Sequence, residues 1–286
     1  MTSDIPYAEV IGDPVSHSKS PVIHNFWLGK LGLEGEYRAT RVLKDEIEHY
    51  LHERRGDPLW RGCNVTMPLK ELAAKKADAL DQHAGRIGAI NTLIPRNSGQ
   101  KIVGYNTDWI AIRDLVAPLL ATPKDVVVSM LGTGGAARAA VYAVRSVREP
   151  LFFYTYARTL IQAVAFRSKV GLPEDYAAGD LKEFCSIIGP FRLFEAASLI
   201  INATPLGSAD AAPLCLELEA EGDIMLLDMV TNPAETELVT VARQAGINVA
   251  TGFDMLIEQA AAAFLLLFGH EAPREYDTEL RTLLTA

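Results

Sequence analysis

The amino-acid sequence predicts an α/β protein of two domains, the second of them doubly wound. Three observations carry that expectation. Short β-branched runs alternate with helical periodicity along the chain, and a hydrophobic strand runs into a glycine-rich turn and a helix at VVVSMLGTGGAARAAVYAV. The third is size: 286 residues are long for one core and ample for two.

The first stretch runs from YAEVIG through PVIHNFWLGKLG, EYRATRV, GCNVT, PLKELAAKKADAL and AINTLI to KIVGYNTD, which predicts a mainly parallel sheet covered by helices. In the helix after Ser20, Val22, Ile23, Phe26, Trp27, Leu28 and Leu31 recur at helical spacing. Pro21 suits the first helical position and Gly32 the stop, which makes Ser20 the expected N-cap.

The second stretch begins near Trp109 and adds strand signals at LFFYTYA, SLIINAT and IMLLDMV. That cadence predicts a Rossmann-like domain over residues 109–252. The closing helix, DMLIEQAAAAFLLLF, lies beyond it and is expected to fold back, so residues 253–286 complete a first domain of residues 1–108. Its most apolar part, Ala260 to Gly269, is too short to span a bilayer and reads as a buried helix.

Composition narrows the partners. The formal charge is −9, from 36 acidic and 27 basic residues with no basic run, which argues against nucleic acid and leaves a small-molecule substrate. Cys63, Cys185 and Cys215 are an odd number without pattern, as expected of free thiols in a reducing compartment, and no signal peptide opens the chain. Cytoplasm is the expected location, with no membrane association and a monomer or homodimer as the assembly.

The residues that carry chemistry fall into two groups. Gly132, Gly134, Gly135 and Ala136 lie between strand and helix, where glycines let the backbone turn tightly and approach a pyrophosphate that the helix N-terminus attracts. A plain tight turn is the alternative. The next strand ends in Ala157-Arg158-Thr159 with no carboxylate, which favours NADP over NAD, although NAD remains possible and a solvated helix-start arginine is the plainer reading of Arg158.

In the first domain, Ser18 and Ser20 at a helix start suit a carboxylate, or else serve as loop and cap. Asn64 and Thr66 fall at a strand end, and Lys70 in the first turn of the next helix is disfavoured there by the macrodipole, so it reads as a proton-transfer lysine or a tolerated surface residue. Asn91 and Asp108 are placed at or just past strand ends, where open α/β sheets bind ligands, and Asp108 could equally cap its helix. Gln259 is polar within an apolar helix and faces either a site or solvent. No metal-ligand spacing or covalent-nucleophile motif is present, and His17, His24 and His270 read as capping or surface residues.

Together these stretches resemble the shikimate dehydrogenase family along nearly the whole chain: IGDPVSHSKSPVIHN, GCNVTMPLK, IGAINTL, GYNTD, LGTGGAARA, INATPLG and GFDMLIEQAAAAFLL, in that order. The resemblance implies NADP-linked interconversion of 3-dehydroshikimate and shikimate in aromatic amino-acid biosynthesis. It implies a substrate domain first and a cofactor domain second. Ser18 and Ser20 would bind the carboxylate, Thr66, Asn91 and Gln259 would contact ring hydroxyls beside Lys70 and Asp108, and the last two would be the acid–base pair. Thr204, Met229 and Gly252 would join Arg158 and Thr159 around the cofactor.

Two departures qualify it. Where the family commonly has D-x-x-Y this chain reads Asp228-Met229-Val230-Thr231, which leaves quinate or another shikimate-like substrate open. Where NADP-using members usually place a second basic residue it has Gln162, so the phosphate clamp is thinned. A dinucleotide sensor without catalysis is the alternative of another class. Retention of Lys70, Asp108, Ser18, Ser20 and Gln259 argues against it, since cofactor binding needs none of them.

Overall fold

The computed structural model describes residues 5–186, 196–214 and 222–285; Cys215 and the side chain of Cys185 lie outside the described residues. Two compact units divide the chain, one of residues 1–110 with 257–286 and one of residues 111–256.

The first unit contains β1 (Tyr7–Gly12), α1 (Ser20–Leu31), β2 (Glu36–Arg41), α2 (Ile47–Arg54), β3 (Trp60–Val65), α3 (Lys70–Lys76), β4 (Ala79–Leu80), α4 (Gln82–Ile87), β5 (Thr92–Arg96) and β6 (Lys101–Tyr105). The strands form one sheet in the order β2-β1-β3-β5-β6-β4. β5 pairs antiparallel with both β3 and β6, and the other pairings are parallel, so one reversed strand interrupts an otherwise parallel sheet. The expected helix in PLKELAAKKADAL is shorter than its periodicity suggests. It ends at Lys76, and Ala79 and Leu80 turn outward as a short strand on β6.

A buried carboxylate sits where β1 is wholly enclosed. Glu9 accepts from Thr40 Oγ1 at 2.6 Å, Tyr50 Oη at 2.7 Å and Arg54 Nε at 2.9 Å. Burial alone would push its carboxyl up, but the donors, Arg54 foremost, outweigh it and hold the group below the usual carboxylate range.

After α5 (Asp108–Leu120), the second unit builds β7 (Val126–Leu131), α6 (Gly135–Val147), β8 (Phe152–Ala157), α7 (Leu160–Lys169), β9 (Ala178–Asp180), α8 (Leu181–Ser186), β10 (Ala197–Asn202), β11 (Ile224–Asp228), α9 (Glu237–Gln244) and β12 (Asn248–Ala250). The strands lie in the order β12-β11-β10-β7-β8-β9, every pairing parallel. This is the dinucleotide-fold order 3-2-1-4-5-6, whose switch point falls between β7 and β10. VVVSML is buried at every position, as a strand covered on both faces must be.

The chain closes with α10 (Gly252–Phe268) and α11 (Asp277–Thr285). In the first unit, Ala263 and Leu267 of α10 pack against Ala8 and Val10 of β1 and Tyr37 of β2. Among the described residues no helix is long and apolar enough to cross a membrane.

Three local expectations are corrected. Ser20 does not cap α1: it is the first helical residue, Lys19 holds the cap position without a side-chain bond, and the Ser20 N–H donates to Ser18 Oγ at 3.3 Å. Gly32 ends that helix in the left-handed region at φ 62°, as expected. His24 is not a surface residue but fully buried, stacked on Tyr37 with centroids 4.1 Å apart and planes 6° from parallel. Asp108 does not cap its helix either, since the Trp109 N–H donates to Asn106 Oδ1 instead.

Candidate active site

In the first unit the turn after β3 is set by a close approach. A Cβ on Gly12 would lie 2.7 Å from the Met67 carbonyl oxygen and would strike the Thr66 methyl, so only glycine lets β1 end beside this turn. The turn closes through Leu69 N–H to Thr66 O at 2.9 Å and delivers Lys70 as the first residue of α3. Its Nζ donates to Asp108 Oδ2 at 2.5 Å, and the lysine and aspartate side chains are 19% and 4% exposed.

Asn91 is the second partner of Asp108. Its Nδ2 donates to Asp108 Oδ1 at 2.8 Å and reaches Gln259 Oε1 of α10 at 3.3 Å. Its position is a correction to the expectation of a strand end, because Asn91 immediately precedes β5. β5 runs antiparallel, so its start lies at the edge where the parallel strands finish. There Val65 N–H donates to Asn91 O at 2.7 Å and Asn91 N–H to Tyr105 O at 3.0 Å. Gln259 therefore faces this cluster rather than solvent. Lys70, Asn91, Asp108 and Gln259 form one bonded group. Thr66 is in the turn that precedes Lys70, and the structure gives Ser18 and Ser20 no hydrogen bond to that group.

Sequence reading misses the residues that hold this group in place. Thr92, Thr107 and Tyr37 are buried and bonded into it, and Asn64, legible only as a strand-end residue, joins them. The repeated Asn-Thr pairs in AINTLI and GYNTD are the available signal.

In the second unit Gly132 has φ 105°, and a Cβ there would lie 2.7 Å from the Ala203 carbonyl oxygen. Gly134, by contrast, is exposed with open space where a side chain would stand, and Gly135 begins α6. The first N–H groups of that helix, at Gly135 and Ala136, have no intrahelical acceptor. Arg158 follows directly on β8, exposed and without an ion-pair partner among the described residues, while Thr159 caps α7 by accepting from the Gln162 N–H at 3.4 Å.

At the ends of β10 and β11 a second buried network appears. Asp228 accepts from Asn202 Nδ2 at 3.0 Å and Thr236 Oγ1 at 2.5 Å. Asn202 Oδ1 in turn accepts from Thr204 Oγ1 at 2.6 Å, and Met229 N–H donates to Asn202 O at 3.0 Å. Burial pushes the Asp228 carboxyl up, and the Thr236 hydroxyl only partly offsets this. Gly252 is required by its neighbour, since a Cβ would collide with the Val230 carbonyl.

A doubly wound sheet with an open glycine turn at its switch point, in a chain that also holds a bonded Lys–Asp pair, defines the class of a dinucleotide-dependent dehydrogenase. Comparison with known proteins narrows this. Residues 10–93 match the shikimate dehydrogenase substrate binding domain, and residues 252–279 the shikimate 5'-dehydrogenase C-terminal domain. The chain is 39% identical over 282 residues to the shikimate dehydrogenase (NADP(+)) of Sphingopyxis alaskensis, covering 98% of this chain and 97% of that one. A crystal structure of a shikimate dehydrogenase in complex with NADP+ superposes with a TM-score of 0.82 at 29% identity, covering 100% of this chain and 98% of the other. The Thermus thermophilus enzyme in complex with NADP(H) and shikimate gives 0.78 at 32%, covering 98% and 100%. The chain belongs to the shikimate dehydrogenase family.

Proposed function

We propose that this protein catalyses the NADP-dependent, reversible reduction of 3-dehydroshikimate to shikimate, with the first unit holding substrate and the second the cofactor. The observation that carries the chemistry is the Lys70–Asp108 pair at 2.5 Å.

The cofactor assignment has support in the residues themselves. Gly132 keeps the turn tight, the open face at Gly134 and the N–H groups of Gly135 and Ala136 suit a pyrophosphate, and Arg158 suits a 2′-phosphate at the end of β8. Thr159, Thr204, Met229 and Gly252 complete the candidate set. When bound in its reduced form, NADPH would supply the hydride for the reduction, and NADP+ would accept it in the reverse direction.

Lys70 gives a proton from Nζ to the carbonyl oxygen of the substrate as that oxygen gains charge, and takes it back in the reverse direction. Asp108 accepts a hydrogen bond from Nζ and so aims the ammonium, and Asn91 occupies the other carboxylate oxygen so that Asp108 keeps one orientation. Gln259 and Thr66 contact ring hydroxyls, and Ser18 with Ser20 binds the carboxylate. Thr231 is exposed where the family has tyrosine, so quinate or another shikimate-like acid stays open as a further substrate.

Buried Cys63 is a free thiol, in keeping with a cytoplasmic protein. A monomer or homodimer is the proposed assembly. The test is formation of reduced nicotinamide, followed by absorbance, with shikimate and quinate each crossed with NADP and NAD. Turnover with shikimate and NADP supports the reading, turnover confined to quinate moves the substrate assignment, and none with any pair leaves a dinucleotide-binding protein without dehydrogenase activity.

A further inference from the structure

Asp108 stands at the end of a directed chain of hydrogen-bond donors that begins in the core of the first unit. Tyr37 Oη donates to Asn64 Oδ1 at 2.6 Å, and Asn64 Nδ2 donates to Thr92 Oγ1 at 3.0 Å. Thr92 Oγ1 donates to Asn91 Oδ1 at 3.0 Å, and Asn91 Nδ2 donates to Asp108 Oδ1 at 2.8 Å. The five residues come from β2, β3, the start of β5 and the start of α5, and all are buried.

The direction of the chain follows from what each group can give. Asn64 Nδ2 also donates to the Asn91 carbonyl at 3.2 Å, so its amide nitrogen must face that way and its oxygen must face Tyr37. The single hydroxyl hydrogen of Thr92, already receiving from Asn64, is left to be given to Asn91. A hydroxyl at the head that could ionise would reverse this polarity. Burial pushes the Tyr37 hydroxyl well above the usual tyrosine range, so it remains a donor.

Tyr37 is itself clamped by two consecutive residues of α1. His24 stacks on its ring at 4.1 Å, while Asn25 brackets its backbone, donating from Nδ2 to Tyr37 O at 2.7 Å and accepting from Tyr37 N–H at 2.8 Å. The ring is fixed on one side and the main chain on the other. The hydroxyl then has one place to point.

We propose that Tyr37, acting through Asn64 and Thr92, is a positioning residue for the reaction: it fixes the Asn91 amide and thereby the carboxylate that aims Lys70. The inference rests on the reading of Lys70 and Asp108 as the acid–base pair. Donors in series in a buried environment polarise one another, so the effect of the first hydroxyl is felt beyond its own neighbour.

The experiment is a double-mutant cycle on the full-length protein with steady-state kinetics for shikimate and NADP. Tyr37→Phe should lower kcat by roughly 2- to 12-fold, the range for one neutral hydrogen bond, and leave the NADP Kd unchanged. Thr92→Val, one bond nearer Asn91, should lower it at least as far. Neither should lower kcat further in an Asn91→Ala background, because the link they act through is gone. Tyr7→Phe, which loses a hydroxyl bond to Asp57 outside the chain of donors, should leave kcat as it was.

A loss from Tyr37→Phe that persists in full on Asn91→Ala overturns the proposal, since general loosening of the core would do that. So does an unchanged kcat in both Tyr37→Phe and Thr92→Val while Lys70→Met is inactive. A fully active Lys70→Met overturns the acid–base reading beneath it instead. If Tyr37→Phe does not fold, the isosteric Thr92→Val decides by the same cycle.

Discussion

Lys70 and Asp108 are 38 residues apart in the chain, yet Nζ and Oδ2 meet at 2.5 Å with the carboxylate almost wholly enclosed. An ion pair this sheltered is not needed to start a helix, and α3 has no side-chain cap to gain from it. Its geometry suits a proton donor held on a fixed aim.

Lys70→Met is accordingly expected to reduce kcat by roughly 10²- to 10⁴-fold, the usual range for removing a positioned acid–base group, with a smaller change in KM. Steady-state kinetics on a variant whose circular dichroism matches the wild type checks this. A kcat near that of the wild type would remove Lys70 from the chemistry.

The two serines at the start of α1 should separate in stability though not in substrate binding. Ser18 Oγ receives the Ser20 N–H, so Ser18→Ala should cost about 0.5–1.5 kcal/mol, the range for one lost neutral hydrogen bond, and Ser20→Ala less. Both should raise KM for shikimate and leave the NADP Kd unchanged. Thermal unfolding and titration with NADP read the two effects independently.

Arg158 offers one charge-assisted contact to a 2′-phosphate, and Gln162 supplies no second. One such contact corresponds to roughly 10- to 150-fold in affinity. A preference for NADP over NAD in kcat/KM within that span is expected, largely abolished in Arg158→Ala. Should the preference survive the substitution, another residue reads the ribose.

His24 makes acid stability a test of the core. Burial pushes its imidazole from 6.5 down to about 3, and among the described residues neither ring nitrogen has a hydrogen-bond partner. The folded state thus refuses a proton that the unfolded chain accepts. Its contribution is complete above pH 6.5 and is lost as pH falls toward 3, at up to about 1.4 kcal/mol per pH unit. Replacement by phenylalanine keeps a ring against Tyr37 and removes the titration. In urea unfolding from pH 7 to 4, His24→Phe should lose stability less steeply than the wild type, and parallel slopes would show that His24 is not the group responsible.

Much of this is legible in local patterns. A strand, a glycine turn and a helix in succession place Gly132 to Ala136, because turn chemistry and periodicity are properties of neighbouring residues. The same locality puts Lys70 at a helix start and Gly32 at a helix end, where the structure has them. Arg158 at the end of β8 follows from the length of one hydrophobic run.

Residues that meet across the sheet are another matter. Asn91 lies at the expected edge for a different reason, because nothing in AINTLI announces that β5 runs against its neighbours. His24 reads as a surface residue since a lone histidine carries no sign of burial, and its place is set by Tyr37, Trp27 and Phe264 closing around it. Ser20 gives up the expected cap position to Lys19, because the helix begins one residue earlier than Pro21 suggests. Gln259 could face a site or water on its own helix, and a bond to Asn91, 168 residues away in the chain, chooses between them. Periodicity says which face of an element is apolar, but partner and register are set by packing between distant segments. The donors that steer Asp108 exist only once β2, β3 and β5 lie side by side.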